Sequence, residues 1–171
     1  MSTEQLYMLL AGIVIIGLST LYVGIYNSIQ RLINVIPEVA SNITVLAQKR
    51  KDLISKLLSI VDSYGLHESG IATRVAAEFS GSQMSGGGAT SVVARLASLR
   101  MAFPELKANG LYSSLMDELA NVETQIADRR ERYNSTVRAY NTMLAQFPNN
   151  ILLKPLSLRP KQFLTDQELS S

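Results

Sequence analysis

Between Glu4 and Arg31 the chain carries no charge, and Leu6 to Tyr26 reads LYMLLAGIVIIGLSTLYVGIY. A run that long and that apolar has few stable places to go. About 20 apolar residues, rising about 1.5 Å each, cross the hydrocarbon core of a bilayer as one helix. Such a helix also pairs its own backbone groups where no water is present to do so. The run therefore predicts a transmembrane anchor over residues 1–30. A cleavable leader would want a basic start and a shorter apolar core, whereas MSTEQ has neither Lys nor Arg. A buried core helix is the other alternative. Tyr7, Tyr22 and Tyr26 lie near the two ends of the run, as in the aromatic belts of membrane helices.

Orientation follows from the flanking cations. All sixteen Lys and Arg lie at or after Arg31. Arg31 is followed by Lys49, Arg50 and Lys51, so the short N-terminus is expected outside and the rest of the chain in the cytoplasm. Gly12, Thr20, Gly24 and Ser28 fall on one helix face at steps of four and eight. Small residues at that spacing let membrane helices pack closely. The alternative is that glycine is simply common in such helices.

The remaining residues, roughly 140, can bury a core without covalent staples. With no Cys, one His and no Trp, no disulfide or thiolate metal site is possible, and neither a metal nor a cofactor is expected. The cations are interleaved with carboxylates rather than gathered in a stripe, which argues against a nucleic-acid partner.

That remainder reads as helix throughout. Leu32, Val35/Ile36, Val39, Ile43, Leu46, Leu53/Ile54, Leu57 and Val61 recur in steps of three, four and seven, one stripe on a helix. Nothing stops this stripe from continuing the membrane segment except Pro37, which should kink or break it. Gly65 is a stop signal. A second helix is expected over 66–83, with Ile71, Val75, Ala76 and Phe79 inward. Gly81 to Ser91 follows as a glycine connector. Its three consecutive glycines lack the Gly-Lys-Ser/Thr and the preceding strand of a phosphate loop. A third helix is expected over 90–102, closed by Phe103-Pro104. The fourth and longest is expected over 109–146, on a stripe of Leu111, Leu115, Leu119, Val122, Ile126, Tyr133, Val137, Tyr140 and Leu144. Beyond Phe147-Pro148 the tail is expected to be extended, with Ile151, Leu152, Leu153, Leu156 and Phe163 available to dock. The expected architecture is all-α: an N-terminal transmembrane helix (1–30) continuing into an antiparallel bundle of long helices (31–150), then a tail (151–171).

Both long stripes are interrupted by arginine. Arg50 follows Leu46 by four, Arg130 follows Ile126 by four, and Glu123 follows Leu119 by four. Two readings are open. Antiparallel packing could bring Arg50, Glu123 and Arg130 into an internal polar layer that fixes register. Alternatively each arginine sits at the stripe edge with its stem buried and its head in water. Tyr133 and Tyr140, seven apart, face one way, as core residues with satisfied hydroxyls or as part of a ligand site. His67 has no partners at a catalytic spacing. Asp128 to Arg132 alternates charge, as solvated helix faces do.

The block Phe103 to Leu152, FPELKANGLYSSLMDELANVETQIADRRERYNSTVRAYNTMLAQFPNNIL, resembles the LemA family of bacterial membrane-anchored helical proteins. The resemblance is carried by Phe103 to Asn109, Glu118-Leu119, Glu123, Arg130, Tyr133-Asn134, Tyr140-Asn141 and Phe147-Pro148. Upstream, Tyr26-Asn27, Lys49 to Ile54 and Tyr64 to Glu68 resemble the family's first hairpin, so the likeness covers about residues 26–152. The chain departs from the family at Val39 to Ile43, where a tryptophan is usual, at Pro37, and in its tail, where Leu158 to Phe163 only loosely echoes an aromatic-rich closing turn. The resemblance implies an anchor, an antiparallel bundle and a bacterial cytoplasmic membrane. It supplies no reaction.

No nucleophile, base and orienting group are legible together. The expectation is a non-catalytic scaffold that oligomerises or recruits membrane proteins on the bilayer. A membrane-shaping assembly is the first alternative. An enzyme or enzyme helper built on Glu123, Arg130 and the tyrosines is the second.

Overall fold

The computed structural model describes residues 2–64 and 86–165. The expected second helix, the first five residues of the glycine connector and His67 lie outside the described residues. Among the described residues every regular element is helical. They are α1 (Thr3–Ser63), α2 (Gly86–Ala102), α3 (Pro104–Ala108), α4 (Gly110–Ala145) and α5 (Asn149–Leu152), followed by a 3-10 turn at Lys154–Leu156.

α1 opens on a reciprocal cap. Ser2 Oγ accepts from the Gln5 amide at 3.4 Å, and Gln5 Oε1 accepts from the Ser2 amide at 3.1 Å. Two donors that a helix start leaves orphaned are thereby paired. The helix then runs 61 residues through Pro37, so Pro37 does not break it. A proline inside a helix costs about 3 kcal/mol. Ile36, Val39 and Ile43 are buried on either side of it, and burying such side chains contributes about 1.5–3 kcal/mol each. The packing holds the helix across the lost bond.

α2 begins at Gly86, inside the glycine run expected as connector. Glycine weakens a helix by about 1 kcal/mol per residue but does not bar it. Phe103, extended before Pro104, ends α2 and starts α3. Asn109 then serves two helices. It caps the end of α3, and its Oδ1 accepts from the Tyr112 amide at 2.9 Å in the first turn of α4.

The chain divides into two compact units, Met1–Glu38 with Asn134–Phe163 and Val39–Tyr133 with Leu164–Ser171. In the second, Leu53, Ile54, Leu57 and Val61 of α1 form one apolar core with Leu96 and Leu99 of α2, Leu106 of α3, and Tyr112, Leu119, Val122 and Ile126 of α4. Here Lys49 pairs with Glu118, Arg50 with Glu123 and Tyr64 with Asn109. From Arg50 to Tyr64, rising numbers on α1 meet falling numbers at the α4 side. In the first unit, Ile29 and Ile36 of α1, Val137 and Tyr140 of α4, and Leu153 are buried.

The stripe on α4 differs from the expectation at its start. Leu111 is 62% exposed and Tyr112 fully buried. The inward face runs Tyr112, Leu115/Met116, Leu119, Val122 and Ile126, and Leu111 lies one residue, about 100°, off it. The tail also differs. It opens on α5 and the 3-10 turn at Lys154–Leu156 rather than extended; Leu153 docks, while Ile151 and Phe163 remain exposed.

Candidate functional site

Two features hold the chemistry of this chain: the apolar half of α1 and the polar groups set among its packed helices. Apart from Gly12, every described residue from Ser2 to Gly24 is exposed. Leu6, Ile13, Ile16 and Leu18 are each about half exposed or more. Hydroxyls within this stretch turn back on the helix. Ser19 Oγ donates to the Ile15 carbonyl and Thr20 Oγ1 to the Gly17 carbonyl, both at 2.8 Å. Neither presents an unpaired donor to an apolar medium. Tyr22 and Tyr26 stack, with ring centres 6.3 Å apart. One turn later Ile29 is fully buried. α1 is thus long and apolar enough over its first half to cross a membrane. Of the small-residue face, Thr20, Gly24 and Ser28 are exposed and Gly12 half-buried. A Cβ added at Gly12 or Gly24 would meet nothing within 4 Å.

In the second unit Arg50 is the one buried charged residue among those described, 4% exposed. Its Nη1 donates to Glu123 Oε2 at 3.5 Å. Arg50 Nε and Glu123 Oε1 are also buried and find no hydrogen-bond partner among the described residues. Lys49 Nζ lies 2.8 Å from Glu118 Oε1 on the exposed side. The Lys49 hydrogen bond, then its charge, hold the Glu118 carboxyl below the usual carboxylate range. Arg130 is half-buried, and its Nη2 donates to the Thr165 carbonyl at 3.0 Å. Arg50 and Glu123 therefore meet, while Arg130 has a main-chain partner in the tail.

Tyr112 was not singled out by its spacing. Its hydroxyl donates to the Leu96 carbonyl at 2.9 Å. Burial pushes this phenol up to about 12, against a smaller opposing pull from Arg100. Asn109 Nδ2 donates to the Tyr64 hydroxyl at 3.0 Å, tying the end of α1 to the start of α4.

In the first unit Tyr140 donates its hydroxyl to the Arg159 carbonyl at 3.1 Å. Burial raises its pKa as well. Asn141 donates Nδ2 to the Lys161 carbonyl at 2.8 Å and accepts the Lys161 amide at 2.9 Å. The Lys161 ammonium lies 5.9 Å from the Tyr140 ring centre. The tail is thus strapped to α4 through its main chain. Beside the strap lies a cleft of about 330 Å³ lined in part by Asn141, Leu144, Leu153, Lys154 and Leu158. Among the described residues no three Asp, Glu or His side chains gather as a metal set.

The sequence model of the LemA family matches residues 39–170. The chain belongs to the LemA family. The match starts at Val39, so Tyr26-Asn27 falls outside it, and it runs past Leu152 through the strapped tail. Within the LemA region lie Arg50, Glu123, Arg130, Tyr140 and Asn141, and the apolar half of α1 precedes it. No curated protein matches this chain.

Proposed function

We propose that this LemA-family chain is a non-catalytic, membrane-anchored helical scaffold. It is held in the bacterial cytoplasmic membrane by Leu6–Tyr26, with its N-terminus outside. Its antiparallel bundle stands in the cytoplasm and assembles with further copies or with membrane-protein partners. One observation carries the reading: the change along a single helix from a run of exposed apolar side chains to the fully covered Ile29. That change falls between Gly24 and Ile29, directly after the tyrosine pair. A soluble protein rarely leaves so much contiguous apolar surface bare, and a bilayer covers it. The open small-residue face at Gly12 and Gly24 leaves room for a second helix at close range. The Arg50–Glu123 contact is a largely buried ion pair between two helices, and a register-setting role suits such a pair better than turnover.

The test is the size of the detergent-extracted full-length protein, measured beside the same chain lacking residues 1–30. Particles of several copies that shrink to one on truncation support assembly through the anchor. A single-copy particle free of partners in mild detergent contradicts the scaffold.

A further inference from the structure

We propose that residues 147–163 form a second membrane contact, in which Phe147 and Ile151 enter the headgroup boundary and Lys154, Arg159 and Lys161 meet anionic lipid. The proposal rests on the reading of Leu6–Tyr26 as a span and concerns a different part of the chain.

Charge is the first argument. Between Glu131 and Asp166 the sequence holds no carboxylate, yet it carries Arg132, Arg138, Lys154, Arg159 and Lys161. Elsewhere in the chain the two signs are mixed. Arg31 is the one cation in the first thirty-eight residues, so along the sequence the exit of the span looks poorly supplied with positive charge.

Placement is the second argument. The segment Asn134–Phe163 shares a compact unit with the first 38 residues. Beyond Gly12, α1 is first covered at Ile25 and Ile29, where the apolar run ends. α4 enters this unit at Asn134, where α1 leaves it at Glu38. Moving away from that junction, α1 leads back to Ile29 and α4 leads on to Ala145 and the turn at Phe147. Thirteen residues back from Glu38 on α1 is Ile25 and thirteen on from Asn134 is Phe147, so equal rise along two antiparallel helices would set the turn at the Ile29 end of the unit.

Exposure is the third. Phe147 is 79% and Ile151 57% exposed, and Lys154, Arg159 and Lys161 are all exposed. Apolar side chains beside cations, lying at the mouth of a span, fit the boundary of an anionic leaflet. Each Lys or Arg there is attracted by lipid charge within about a Debye length. The strap does not consume this chemistry. Asn141 and Tyr140 hydrogen-bond main-chain groups of Arg159 and Lys161, and the Lys161 ammonium, 5.9 Å from the Tyr140 ring centre, stays on an exposed side chain.

The chain contains no Trp, so one introduced indole reports its own depth. Full-length Tyr22→Trp, Phe147→Trp and Val45→Trp variants are reconstituted in vesicles of phosphatidylglycerol and phosphatidylcholine containing acyl-brominated lipid. The expected result is quenching of the Phe147→Trp variant at least about twofold stronger than that of Val45→Trp, an exposed position on α1 beyond the unit. Adding Lys154→Glu and Arg159→Glu should cut that quenching by about half. Equal, weak quenching of Phe147→Trp and Val45→Trp beside strong quenching of Tyr22→Trp overturns the contact and leaves the span standing. Weak quenching at all three positions overturns both. Strong quenching at Phe147→Trp that ignores the two charge reversals overturns the assignment to anionic lipid.

Discussion

Arg50 of α1 reaches Glu123 of α4 at 3.5 Å, with the guanidinium almost wholly withdrawn from solvent and the carboxylate partly so. A charge so placed weakly favours folding when paired and strongly opposes it when alone. Glu123→Leu should therefore destabilise the protein by about 2–4 kcal/mol, while Arg50→Met with Glu123→Leu should recover most of that loss. Urea unfolding of the wild type, both single variants and the double variant gives the coupling. A coupling energy near zero would remove the pair from the account of register.

Asn109 caps one helix start and ties it to the Tyr64 hydroxyl. Asn109→Ala removes both bonds. The expected cost is about 1–2 kcal/mol, read as a lower melting temperature. Tyr64→Phe should show only the smaller, tie-related part of it. Equal effects of the two variants would mean that the cap contributes nothing.

Tyr112 makes stability depend on alkaline pH. Its folded pKa lies at about 12 against an ordinary 10.0, so between these values the folded state holds a proton that the unfolded state has lost. The contribution is complete below about pH 10 and disappears as pH rises through about 12. The melting temperature should fall across that window, and Tyr112→Phe should flatten the fall at the cost of about 1 kcal/mol from the lost hydroxyl bond. An unchanged slope in that variant would assign the alkaline transition to other groups.

Glu118 works at the other end of the scale. Lys49 lowers its carboxyl pKa, so its contribution is present above the ordinary carboxylate range and is lost as pH falls through the folded value. The pair is exposed, so salt should screen it. Lys49→Met should weaken the acid dependence of stability at low salt and make little difference at about 1 M. A salt-independent effect would point to packing of the lysine stem instead.

Much of this fold is legible in the sequence because helices advertise themselves by period. The stripe from Leu32 to Val61, the stop at Phe103-Pro104 and the reach of α4 all follow from apolar spacing and proline placement. Leu111 misled because one helical residue rotates a side chain by about 100°, and Leu111 and Tyr112 compete for the same inward position. Arg50 was legible as an interruption, but only the meeting of α1 with α4 shows that it is buried. The strap was hardest to see. Asn141 and Tyr140 bind main-chain groups about twenty residues away, and a main-chain partner leaves no side-chain pattern to find. Pro37 misled in the other direction, since propensity warns of a break that packing at Ile36 and Val39 prevents.

The central claim is that Leu6–Tyr26 holds this protein in a bilayer. Membranes carrying the full chain, washed in alkaline carbonate and floated on a density gradient, test it directly. The account predicts that the full chain floats with lipid while a chain beginning at Arg31 is released. Release of the full chain into the soluble fraction would contradict it.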